Sequence, residues 1–131
     1  MLDGNYANNN RVWAAGVSGG LWYNDDISSQ SNSWTKISDF WDNLEITTVA
    51  SDPNDSNIIY VGSGEKIGSA GIGLGMWKTT DGGANWSQLS STIDYRFMGD
   101  MIVRNESGQS VIYIGTGRSS HEGQYLSLIH I

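Results

Sequence analysis

The chain has 131 residues and a formal net charge of −7, with 17 glycines, six tryptophans, six tyrosines, one proline and no cysteine. Its seven Lys and Arg residues are scattered and form no patch, which argues against nucleic acid or an anionic membrane as a partner. The lack of cysteine excludes disulfides and thiolate metal sites, and no apolar run reaches the length of a membrane-spanning helix, so membrane insertion is not expected.

In chain order, the first clear strand is Arg11-Val12-Trp13-Ala14-Ala15-Gly16, and the strand that should precede it is either missing or lies within residues 1–8. Gly20-Leu21-Trp22 and Ser33-Trp34-Thr35-Lys36-Ile37 follow as strands on either side of the turn Asn24-Asp25-Asp26-Ile27-Ser28-Ser29. The next four strands are expected at 45–50, 57–62, 74–79 and 85–89, with Ser51-Asp52-Pro53-Asn54-Asp55-Ser56 as the turn between the first two. Met98-Gly99-Asp100-Met101-Ile102-Val103 and Val111-Ile112-Tyr113-Ile114-Gly115 continue the series, and Gly123-Gln124-Tyr125 is a possible further start. Residues 126–131 fit nothing before them. They match the translation of CTG TCT CTT ATA CAC ATC, a transposase-recognition end used in making sequencing libraries, and are read as extraneous, which removes His130 from any site.

The series repeats. An aromatic residue occupies the middle of equivalent strands at Trp13, Tyr60 and Tyr113, 47 and 53 residues apart, close to the period of about 40–50 residues found in propeller blades. Gly20-Leu21-Trp22 is in phase with Gly75-Met76-Trp77, and Ser33-Trp34-Thr35 with Asn85-Trp86-Ser87.

The most ordered local signal is Lys78-Thr79-Thr80-Asp81-Gly82-Gly83-Ala84-Asn85-Trp86, a hairpin turn between two alternating runs. An Asp there can fold its carboxylate onto nearby N–H groups, two glycines tolerate positive φ, and Trp86 anchors the returning strand. Thr79-x-Asp81-x-Gly83-x-Asn85-Trp86 resembles the Asp-box, Ser/Thr-x-Asp-x-Gly-x-Thr-Trp, of sialidase-like and sortilin-like β-propellers, and departs from it only at Asn85. The turn at 24–29 is a degenerate version. The resemblance implies an all-β propeller fragment of about two and a half four-stranded antiparallel blades. Residues 1–44 then hold a partial blade and an interblade loop, 45–97 a complete blade, and 98–125 part of a third. Thr79, Asp81, Gly83 and Trp86 are structural in such a fold. The partners it implies are the remaining blades of the same polypeptide and a glycan or protein ligand, at the cell surface or outside the cell. An open ring leaves blade faces and strand edges bare, so the isolated chain is expected to be poorly folded.

In a meander, the turns joining first to second and third to fourth strands share one end of the blade. Function is expected at the opposite end, on the loops at 38–44, 63–74, 90–97 and 116–122. There Phe40, Trp41 and Asp42, with Asp94, Tyr95 and Phe97, combine aromatic faces with carboxylates that could stack on and orient a sugar or peptide. Packing between blades is the competing role for Trp41 and Phe97. Glu65, His121 and Glu122 lack metal-ligand spacing, so no metal and no cofactor are expected. Asp42, Glu65, Asp94 and Asp100 are the carboxylates open to an enzyme, and a propeller glycoside hydrolase is the alternative to a non-catalytic recognition module. The arginine triad and Arg-Ile-Pro motif of sialidases cannot be found here.

Overall fold

The computed structural model describes residues 2–5, 10–17, 19–37, 45–64, 73–95, 97–119 and 122–130. Among them all regular structure is β, apart from one 3-10 turn at Ser90–Thr92. The strands form three antiparallel sheets, each a meander. Sheet 1 holds β1 (Leu2–Asn5), β2 (Arg11–Gly16), β3 (Gly20–Asn24) and β4 (Thr35–Lys36) in that order. Sheet 2 holds β5 (Ile46–Ser51), β6 (Ile59–Ser63), β7 (Met76–Thr79) and β8 (Ser87–Gln88). Sheet 3 holds β9 (Phe97–Glu106), β10 (Gln109–Ser119) and β11 (Glu122–His130).

Side-chain alternation explains how the sheets stack. In β6 every residue is buried, because Ile59 and Val61 point to one face and Tyr60 to the other. Ile59 and Val61 join Trp13, Leu21, Ile46 and Val49 in a cluster between sheets 1 and 2. Tyr60 joins Ala50, Met76, Met98, Met101, Ile112 and Ile114 between sheets 2 and 3. Sheet 2 is therefore covered on both faces. Ile46 and Val49, three residues apart, reach the same cluster because the register shifts between Ile46 and Thr48, where a bulge adds one residue to β5. The first strand of sheet 2, β5, packs against β1 and β2 on one side and β9 on the other.

A polar pin joins sheets 2 and 3. Buried Asp52 accepts hydrogen bonds from the Tyr60 hydroxyl at 3.1 Å, the Ser110 hydroxyl at 2.7 Å and the Asn54 N–H at 2.8 Å. Burial, and then the Asp52 charge and hydrogen bond, push the Tyr60 hydroxyl well above its usual pKa, so it stays a donor.

The expected strands at 45–50, 57–62, 74–79 and 85–89 correspond to β5 through β8 within a few residues. β9 and β10 run longer than their sequence suggests. Ser107 at φ 55° and Gly108 at φ 84° make a two-residue turn that lets Glu106 pair directly with Gln109. β11 runs to His130, which pairs with Val111. The largely apolar run at 126–130 thus follows the β10 edge whatever its origin, because any β-forming segment there satisfies the free backbone groups of that edge.

Candidate functional site

The turn between β7 and β8 lies at one end of sheet 2. Thr79 is 1% exposed and ties the turn from beneath: its Oγ1 donates to Asp81 Oδ1 at 2.7 Å and accepts from the Gly83 N–H at 3.0 Å. Asp81 Oδ1 also accepts from the Asn85 N–H at 2.9 Å, and Oδ2 from the Asn85 carboxamide at 2.8 Å. Gly82 and Gly83 take φ of 70° and 97°, and a Cβ on Gly83 would stand 2.5 Å from the Trp13 ring. The Trp86 indole donates to Gly83 O at 3.0 Å and meets Trp13 edge-on with centroids 6.0 Å apart.

Asn85, first through its carboxamide and then its N–H, and Thr79 through its hydroxyl hold the Asp81 carboxyl down to about 2 from its ordinary 3.8. The folded value lies below the unfolded one, so the stabilisation is present above pH 3.8 and is lost as pH falls toward about 2. An acid titration followed by the Asn85 amide resonance is expected to show the turn loosening in that window. Asp81→Asn should remove the pH dependence and lower the melting temperature at neutral pH. A resonance that stays fixed throughout would dissociate the carboxylate from the turn. An Asp that remains ionised to so low a pH cannot serve as a general acid near neutrality.

The turn at 24–29 repeats the arrangement. Asn24, 3% exposed, accepts from the Asp26 N–H at 2.9 Å, as Thr79 accepts from the Asp81 N–H at 3.3 Å. Asp26 in turn accepts from the Ser28 hydroxyl and N–H and from Asn10, and these hold its carboxyl below the ordinary range.

The loops at the opposite end are fixed at their bases. Thr92, fully buried, donates from Oγ1 to Leu89 O at 2.7 Å and accepts from the Met76 N–H at 2.8 Å. Ser63 donates to Gly75 O at 2.7 Å and accepts from the Leu74 N–H at 3.0 Å. On this footing Leu74, 47% exposed, and Ile93, 49% exposed, flank the close approach of Gly75 to Thr92, with exposed Asp94 next in the chain.

Of the six residues expected to bind a ligand, Phe40, Trp41 and Asp42 lie outside the described residues. Asp94 is exposed. Tyr95, turned inward after the 3-10 turn by its N–H bond to Thr92 O at 2.9 Å, is half-buried against the Tyr60 and Met76 cluster. Phe97 is half-buried and opens β9 opposite Gly117. Sequence reasoning passed over Leu74 and Ile93, whose only signal is an isolated aliphatic residue in a Gly- or Ser/Thr-rich connection. Arg11 was passed over too: its guanidinium lies 5.0 Å over the Tyr23 ring, donates to Asp25 at 2.8 Å and reaches Gly82 O at 3.0 Å, clamping sheet 1 to the turn of sheet 2.

Glu65 and His121 lie outside the described residues, among which no group of three His, Cys, Asp or Glu is placed to hold a metal ion. No helix of the described residues is long and apolar enough to cross a membrane. The class defined by these observations is an all-β chain of three antiparallel meanders stacked face to face. No protein-family model matches the chain, and no curated protein matches it significantly.

Proposed function

We propose that this chain is part of an Asp-box β-propeller of the sortilin-like and sialidase-like kind, acting as a non-catalytic recognition or adhesion module for glycan or protein outside the cell. The stacking supports the propeller. Trp13, Tyr60 and Tyr113 hold the same place in successive sheets, the first two each covered by the next sheet, while the outer face of sheet 3 carries Tyr113 and the 59% exposed Ile102. Further blades of the same polypeptide are the partners that would cover that face.

The observation that carries the recognition role is the contrast between the two ends of sheet 2. At one end the carboxylate is consumed by its own turn; at the other, Leu74, Ile93 and Asp94 are presented to solvent on loops pinned by Thr92 and Ser63. Preformed loops of this kind lose little freedom when they bind.

The test is a glycan array and a panel of extracellular proteins, read together with thermal melts. Ile93→Ser is expected to weaken binding about 10-fold or more, the share of one buried aliphatic side chain, with little change in melting temperature. Asp94→Asn and, in the loop expected from the sequence at 38–44, Trp41→Ala should likewise lower affinity more than stability. Binding unchanged in all three variants would sink this placement of the ligand, and hydrolysis of a glycan by the parent chain would sink the non-catalytic reading.

A further inference from the structure

A cleft of about 480 Å³ opens at the other end of the molecule, between the outer edge of sheet 1 and the β7–β8 turn. Its size falls within the range of about 300–1,000 Å³ usual for small-ligand sites. Tyr23, Thr35 and Ile37 line it from sheet 1, and Asn57 and Trp86 from sheet 2. We propose that this cleft binds a neutral sugar residue of a glycan.

The charges bordering the cleft are already committed. Arg11 donates to Asp25 and to Gly82 O, and both Asp81 oxygens are held by Asn85 and Thr79. Lys36, which also lines the cleft, brings its Cε to within 3.7 Å of the Cβ position of Gly20 and is engaged in an interaction of its own. The other side chains of the lining include the hydroxyls of Tyr23 and Thr35 and the carboxamide of Asn57, each able to donate and to accept a hydrogen bond, together with the Trp86 indole and the aliphatic Ile37.

That combination matches a pyranose, whose hydroxyls both donate and accept and whose C–H face is apolar enough to lie against an indole. A carboxylate or phosphate ligand would instead require an uncommitted cation. The site is also held in shape before any ligand arrives. Trp86 is locked by its bond to Gly83 O and its edge contact with Trp13, and the Gly82 N–H is tied to Asn57 O at 2.9 Å. The cleft shares only its ligand class with the function proposed above, since it lies at the opposite end of sheet 2.

The experiment titrates the chain with cellobiose, lactose and chitobiose and follows the indole N–H resonance of Trp86, assigned by its loss in Trp86→Phe. A saturable shift with at least one disaccharide is expected. Asn57→Ala and Thr35→Val, both at exposed positions that the fold does not depend on, should each weaken it about 5- to 10-fold, the worth of one neutral hydrogen bond. Ile93→Ser should leave it unchanged. No indole shift with any of the three sugars overturns the proposal, as does tighter binding of glucuronate than of methyl glucoside. Affinity lost in Ile93→Ser but kept in Asn57→Ala would overturn the cleft while sparing the recognition function at the loop end.

Discussion

Replacing Trp13 with alanine is expected to abolish the cooperative unfolding of this chain. Trp13 is fully buried between sheets 1 and 2, packed with Leu21, Ile46, Val49, Ile59 and Val61, and its ring also meets Tyr23 at 5.3 Å and Trp86 at 6.0 Å between centroids. The turn of sheet 2 leans on the same ring through Gly83. Its removal therefore opens a cavity and releases the turn together, at a cost of about 3–5 kcal/mol for the cavity alone. Domains have about 5–15 kcal/mol in all, and a chain whose outer sheet faces are open stands at the low end of that range. Trp13→Phe should be far milder, because the indole N–H has no hydrogen-bond partner among the described residues and the ring's contribution is apolar contact. Urea unfolding followed by circular dichroism distinguishes the cases. A loss of only about 0.5 kcal/mol in Trp13→Ala, the scale of a surface substitution, would remove Trp13 from the core.

Much of this architecture was legible because its signals are local. Short apolar runs rich in β-branched and aromatic residues at Arg11–Gly16 and Ile59–Ser63, glycines where φ turns positive at 82 and 83, and an aromatic residue recurring at 13, 60 and 113 place strands and turns without reference to the rest of the chain. The repeat also survives in three dimensions, since Trp13 faces sheet 2 as Tyr60 faces sheet 3. The sites were less legible. Arg11, Tyr23, Thr35, Asn57 and Trp86 meet only because sheet 1 stacks on sheet 2, and no short spacing announces a contact made by stacking. Tyr95 looked like a loop aromatic open to a ligand. One turn of 3-10 helix, stabilised by the side chain of Thr92, was enough to direct it into the packing, and the preference of Ser90-Ser91-Thr92 for such a turn is too weak to read from residue type.

Gly75→Ala is the second substitution expected to have a large effect, and a matched control isolates its cause. Gly75 has φ of 78°, and a Cβ there would stand 2.5 Å from Thr92 O, 2.8 Å from Thr92 C and 2.9 Å from Thr92 Oγ1. Two of those atoms are backbone, so no rotamer change relieves the contact. Thr92 cannot withdraw either, because its Oγ1 holds the Met76 N–H and Leu89 O, and Ser63 holds Gly75 O from the other side. The clash should cost about 1–3 kcal/mol as overpacking. Strain at positive φ adds about 1 kcal/mol or more. Gly108 supplies the control: its φ is 84°, yet nothing lies within 4 Å of its Cβ position. Gly108→Ala should therefore show the backbone strain alone. Because the 3-10 turn carries Ile93 and Asp94, Gly75→Ala should also shift the amide resonances of both residues, whereas Gly108→Ala should leave them in place. Equal destabilisation by the two substitutions would mean that the Gly75–Thr92 approach is looser than 2.5 Å implies, and that the loop end of sheet 2 is not held in the rigid form from which Leu74, Ile93 and Asp94 would meet a ligand.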